Sequence, residues 1–299
     1  MKKMRENVVV FGVVSTMDAP LNLREWLDHY RAVLNPRHMF LFVTDDDDIP
    51  ASSDITVIRR PAKKFPYNFW DVQASHVNSI RDNARALGIT HLLHVDDDEL
   101  LRLPQGVSAL QVHIAQHLNV ACFVVQNWEA RTCSGVAESP FSECFLFEPD
   151  VARFNAYVNG KSIGRVDATA RGSHRFIGTQ QTLPPHTAVV LHYEGVNFPR
   201  WAQKVGQYKR LCDRHQLESI PFATLRTAMS EECGSRLHRL WKEKYVASSL
   251  PLVALHPRWP QSMILVGNGP SARGKGVLID SFERVVRFHL FTTAGHDVG

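Results

Sequence analysis

Four consecutive carboxylates, Asp96-Asp97-Asp98-Glu99, follow the apolar stretch Leu92-Leu93-His94-Val95 and precede a second one, Leu100-Leu101. A short apolar run bounded by polar residues reads as a buried strand. The acids are therefore expected at its C-terminal end, where open α/β sheets bind ligands. Asp96 and Asp98 make an Asp-x-Asp element. Two carboxylates one residue apart suit a hard divalent cation, Mg2+ or Mn2+, which takes oxygen ligands and bridges protein carboxylates to substrate phosphates. Without a cation, the clustered charges repel each other and any phosphate. The competing reading is a solvated acidic turn, and the strand-like flanks on both sides argue against it.

The elements that would position these acids follow from periodicity. Val8 to Val14 reads as a first strand. Leu23, Trp26, Leu27, Tyr30, Val33 and Leu34 recur at helical spacing behind Asn22 as N-cap. Met39 to Thr44 is a second strand, ending in Asp45-Asp46-Asp47-Asp48, and Ile55 to Ile58 is a third. The second acidic run, represented by Asp45, is a candidate contact to a ribose hydroxyl or base edge, weighed against a solvated turn. Ala62 to Trp70 reads as a loop over the ligand edge. Val77, Ile80, Ala84 and Leu87 mark a helix stopping at Gly88. The order β-α-β-β-α-β before residue 100 is that of an α/β sheet.

Further on, Leu110, Ile114 and Leu118 predict a helix, Val120 to Val125 a strand, and Trp128 to Pro140 an irregular connection. Cys144 to Phe147 is strand-like. Tyr157 to Ile163, with Asn159-Gly160 at its centre, carries a hairpin signal. Ala188 to Tyr193 is another strand, and Pro199 opens a helix bearing Trp201, Val205, Tyr208 and Leu211. A further helical region is expected from about Ala223 to Ala247. Prolines and serines around 249–261 predict a linker. Ser262 to Ser271 then reads as a strand running into a glycine turn, and Asp280 to His289 as a second strand.

The 299-residue length corresponds to about two domains. A hydrophobic share of 44% and a charged share of 21% are those of ordinary globular material. The net charge of +4 is mild, with lysines and arginines scattered, so nucleic acid is not an expected partner. Five cysteines with no C-x-x-C pair do not form a disulfide framework, which points to a reducing, cytoplasmic home. The apolar N-terminal run is short, lacks a small-residue cleavage site and meets Asp18 at once, so it reads as a strand and not a signal peptide. No run reaches the roughly 18 apolar residues of a membrane helix. A peripheral membrane association stays compatible with that.

Taken in order, Leu23-Arg24-Glu25-Trp26-Leu27-x-His29-Tyr30, Gln73, Asp96-x-Asp98-Glu99, Lys161-Ser162, His174, and His192-Tyr193 with Trp201 and Lys204 resemble the glycosyltransferase 2-like proteins of GT-A fold. These are related to galactosyltransferase-like proteins in which a D-x-D-E-F motif follows an E-W-L helix. Where that family has Phe after the motif this chain has Leu100. Where it carries Asn-Glu after the first strand this chain has Met17-Asp18-Ala19-Pro20. The resemblance spans roughly residues 8–210. It implies a mixed, mostly parallel central sheet flanked by helices over 1–248. It also implies inverting transfer of a sugar from a nucleotide diphosphate, most simply a UDP-sugar, to a hydroxyl of a glycan or lipid-linked acceptor. Asp96, Asp98 and His192 are then the metal ligands, with His192 weighed evenly against a structural histidine. Asp45, Gln73, Asp96, Lys161 and Lys204 are the donor-binding candidates. Inversion needs a base for the acceptor proton, and the candidates are Glu99, Glu129, Asp167 and His174. Trp70, Trp128 and Trp201 offer stacking faces, with core packing the stronger reading for each.

The tail has its own resemblance. Leu265-Val266-Gly267-Asn268-Gly269-Pro270-Ser271 through Phe288 is similar to the start of a sialyltransferase domain of the family 29 type, with His289 where that family has a second Asn. Gly267, Asn268, Gly269 and Ser271 are its nucleotide-binding-like positions, in a short βαβ-like fragment over 262–299. The family's later motifs have no room before Gly299, so no sialyl transfer is expected. Gly267-x-Gly269-x-x-Ala272 also fits a dinucleotide fingerprint, but no acidic residue follows about 20 positions on. Two rivals to the transferase are a non-catalytic carbohydrate- or nucleotide-binding scaffold and a phosphoryl or nucleotidyl transferase using similar metal chemistry.

Overall fold

The computed structural model describes residues 8–17, 22–43, 49, 52–59, 69–131, 141, 146–148, 160–171, 175–196, 198–199, 201–203, 205–206, 238–240, 253–254, 263–267 and 284–288. β1 (Phe11–Met17), α1 (Leu23–Val33), β2 (His38–Val43) and β3 (Ile55–Arg59) come first, followed by α2 (Phe69–Ser79), α3 (Arg81–Ala86) and β4 (His91–His94). β1 pairs in parallel with β2 and β4, and β2 in parallel with β3. All seven residues of β1 are buried, as in a strand covered on both faces. Trp26 and Leu27 of α1 join Val13, Met17 and Leu41 in one core. Val77, Ile80 and Ala84 join Val14, Phe40 and Phe42 in the other. The helix expected to run to Leu87 is divided at Ile80 into α2 and α3, and the chain leaves it through Gly88 at φ +75°.

Then come β5 (Glu99–Arg102), α4 (Gly106–Gln116), β6 (Cys122–Ala130), β7 (Leu146–Glu148), β8 (Lys161–Arg165), β9 (Gln180–Thr182) and β10 (Val189–His192). β6 is the hinge of the architecture. Its first half, Cys122 to Val125, pairs antiparallel with β8, while its second half, Gln126 to Glu129, pairs in parallel with β10. β5 lies antiparallel on the far side of β10. Trp128 to Ala130, expected in an irregular connection, thus continue the strand. Lys161 to Ile163 belong to a central strand held by β4 on one side and β6 on the other. Both flanks of β8 are therefore occupied. Tyr157 to Asn159 lie outside the described residues.

β11 (Val253–Ala254), β12 (Met263–Gly267) and β13 (Arg284–Phe288) complete the order. β11 sits inside the expected linker, pairs antiparallel with β7 and with β12, and β12 runs parallel to β13. The described residues thus form an α/β protein around one mixed, largely parallel curled sheet. Among them no helix is long and apolar enough to cross a membrane.

Candidate functional site

The acidic stretch is the turn joining β4 to β5, at the C-terminal end of β4. Val95 N–H donates to the Val14 carbonyl at 3.1 Å, carrying the β1 pairing one residue further, and Glu99 N–H closes the turn on the Asp96 carbonyl at 3.3 Å. One face of α1 clamps this backbone. Trp26 Nε1 donates to the Asp96 carbonyl at 3.0 Å. His29 Nε2 donates to the Leu101 carbonyl at 2.7 Å, and the Tyr30 hydroxyl donates to the Glu99 carbonyl at 3.0 Å while accepting from Leu101 N–H. Residues three and four apart share a helix face, which explains why these three polar groups within an amphipathic helix meet one turn.

Asp96 and Glu99 turn inward. Lys161 Nζ lies 2.6 Å from Asp96 Oδ2 and 3.1 Å from Glu99 Oε2, and its side chain has no exposure. Gln73 Nε2 donates to Asp96 Oδ1 at 3.1 Å. Asn127 Nδ2 donates to Glu99 Oε1 at 3.1 Å, and Asp96 N–H to Glu99 Oε2 at 2.8 Å. Burial by itself raises a carboxyl pKa, and for Asp96 the Lys161 ammonium overrides it and holds the group below its ordinary value. For Glu99 burial prevails over Lys161 and the pKa rises. Burial would lower the Lys161 pKa, but the two carboxylates raise it, so the ammonium stays charged.

Asp98 points elsewhere. Its Oδ1 lies 3.6 Å from His192 Nε2, and its backbone carbonyl accepts from Tyr193 N–H at 2.9 Å. His192 Nδ1 lies 2.8 Å from both oxygens of Glu129. Burial would pull the imidazole pKa down, but Glu129 and Asp98 push it well above the ordinary value. The register explains this grouping. Glu148 on β7 opposes Glu129 on β6, Glu129 opposes His192 on β10, and His192 opposes Glu99 on β5. Opposed residues share a sheet face, so one row across four strands carries three carboxylates and an imidazole, all essentially buried. Arg131, ion-paired to Glu148, neutralises the far end of the row.

The turn therefore brings together Asp96, Asp98, Glu99, Glu129, Gln73, Lys161 and His192. Asp167 stands apart: it pairs with Arg165, whose register partner is His91 at the opposite end of β4. Trp128 and Trp201 are buried in the core. Asp45, His174, Lys204, Asn268, Gly269 and Ser271 lie outside the described residues, as does the side chain of Trp70; Gly267 ends β12. Asn127, Arg131 and Glu148 went unnoticed in the sequence. The signal for the first two was the alternation Asn127, Glu129, Arg131, legible once β6 is known to run past Val125.

Among the described residues, no group of three His, Cys, Asp or Glu side chains is arranged to hold a cation. A carboxylate oxygen and an imidazole nitrogen do converge at Asp98 and His192, a donor set that Mn2+ accepts. The five carboxylates Asp96, Asp98, Glu99, Glu129 and Glu148 stand against two side-chain cations, Lys161 and Arg131, and the imidazole of His192. Asp98 and His192 are thus the two candidate ligand side chains that the described residues bring together. The class defined so far is an α/β protein with a carboxylate–histidine site at the C-terminal end of a central strand. The chain matches no protein-family model and no curated protein sequence.

Proposed function

We propose that the chain is an inverting, divalent-metal-dependent glycosyltransferase of GT-A type, with residues 1–248 as its catalytic domain, a nucleotide-diphosphate sugar as donor and a glycan or lipid-linked hydroxyl as acceptor. One observation carries this reading: Asp98 and His192 face each other at 3.6 Å beside a turn whose backbone is pinned by α1, and Glu129 engages the other imidazole nitrogen. A carboxylate that fixes the tautomer and orientation of a histidine is the usual outer partner of a metal ligand.

On this reading Asp98 and His192 hold the ion, Mn2+ or Mg2+, and the donor diphosphate lies against the turn. When bound, the ion spreads the negative charge that develops on the departing diphosphate. Lys161 neutralises Asp96 and Glu99 from within, which keeps the turn in shape. Gln73 orients Asp96 and not the donor. Glu99 and Glu129 have both oxygens engaged, and Asp167 lies at the wrong end of β4, so none of these three is assigned as the base. The parallel pair β12 and β13, joined through a glycine-bearing segment, supports a nucleotide-binding-like fragment over 262–299.

A thermal-shift screen of nucleotide sugars with and without Mn2+ tests the reading, because a ligand that binds only the folded state raises its stability. The expected result is a shift that needs both components, together with Mn2+-dependent donor hydrolysis that Asp98→Asn abolishes. A second reading, a non-catalytic carbohydrate- or nucleotide-binding scaffold, draws support from Lys161, whose ammonium already sits on Asp96. Donor binding with no hydrolysis of any donor would favour it.

A further inference from the structure

The last residue of β5, Arg102, stands in the cross-strand row Gln126, Val189, Arg102 over β6, β10 and β5. Successive strand residues alternate between faces, so this row looks away from Glu99 and His192. The face it shares is apolar, with Leu100, Trp128 and Leu191 buried there. Tyr193 continues it, its ring edge-on to Phe141 and Phe147 at centroid distances of 5.0 and 5.6 Å. Arg102 is 4% exposed. Its Nη1 is enclosed and has no hydrogen-bond acceptor among the described residues. Burial draws the guanidinium pKa down to about 10, with Tyr193 the one opposing influence.

The other buried cations of this region contrast with it. Lys161 meets two carboxylates and Arg131 meets one. Arginine is rarely this buried unless paired, and its planar fork of five donors matches the two oxygens of a carboxylate or phosphate. We propose that Arg102 forms the floor of a binding site for a small oxyanion group, a phosphate or a carboxylate, whose oxygens complete the guanidinium, with the half-buried Gln126 amide and the Tyr193 hydroxyl as neighbouring polar groups. This site lies on the opposite face of the sheet from the carboxylate–histidine row and stands independently of the transferase reading.

The test is thermal unfolding of the full chain at constant ionic strength, replacing chloride stepwise with inorganic phosphate or with acetate. The midpoint of the wild-type protein rises saturably with one of the two, which identifies a phosphoryl or a carboxylate ligand, and Arg102→Met shows no rise. Equal shifts in wild type and Arg102→Met, or no shift beyond chloride with either anion, overturn the proposal. Should Arg102→Met not fold, Arg102→Lys keeps the charge and loses the fork. Its half-saturating anion concentration then rises at least threefold, and an unchanged curve overturns the proposal as well.

Discussion

Glu129 meets the Nδ1 of His192 with both carboxylate oxygens, each 2.8 Å away, from directly across the β6–β10 pairing. The contact leaves the imidazole a single way to face, toward Asp98. Glu129→Gln keeps the volume and removes the charge. On the transferase reading the variant stays folded and loses roughly 10- to 100-fold in Mn2+ affinity, the usual effect of removing an outer partner. Titrating Mn2+ against the donor-dependent thermal shift measures this, and an unaltered titration would separate Glu129 from any metal role.

Lys161 neutralises two carboxylates from a position without exposure. Lys161→Met leaves Glu99 buried and unpaired, and breaking a buried pair from one side costs about 3–5 kcal/mol. Asp96 keeps some contact with solvent, which places the expected loss toward the lower end. Urea unfolding monitored by tryptophan fluorescence reads it, and a loss under about 1 kcal/mol would show that the pair contributes little.

His91 is buried at the start of β4, where burial first and the Arg165 charge second lower its pKa to about 4. The unfolded chain, with a histidine pKa near 6.5, binds the proton and the folded chain does not. Stability is therefore full above about pH 6.5, falls as pH drops toward 4, and levels off below. The window is worth on the order of 3 kcal/mol, at 1.36 kcal/mol per pKa unit. His91→Gln removes this slope, so urea midpoints of the two proteins, plotted against pH, converge with acidification. Parallel curves would refute the assignment.

Two left-handed glycines make a matched test. Gly88 has φ +75° and open space where a Cβ would stand, whereas Gly160 has φ +62° and the Val125 carbonyl oxygen 2.0 Å from that position. Gly88→Ala costs only the backbone strain, roughly 1–2 kcal/mol. Gly160→Ala adds a collision with main chain of β6, which cannot swing aside as a side chain can. Chemical denaturation of both should show a clearly larger loss at Gly160, and equal losses would mean that β6 and the entry to β8 can part without cost.

The first hundred residues were legible because each element there declares itself locally. β1, β2 and β4 are apolar runs between turns, and α1 carries its apolar spacing unbroken. The second hundred were less so. β6 runs past Val125 through Gln126, Asn127 and Glu129, polar residues that look like a loop until β10 and β7 supply their partners. Asn159-Gly160 is a local turn signal, whereas the place of Lys161 to Ile163 between β4 and β6 is set by partners far along the chain.

By itself, the sequence determined that an apolar strand ends in Asp96 to Glu99 and that α1 precedes it, because burial patterns and helical spacing are properties of neighbouring residues. Which acids pair with Lys161 and which faces His192 was decided by the tertiary structure. Lys161, Asn127, Glu129 and His192 reach the turn from strands 28 to 93 residues further on than Glu99, and cross-strand register, a non-local quantity, sets Lys161 beside the end of β4 and His192 opposite Glu99, one residue from Asp98.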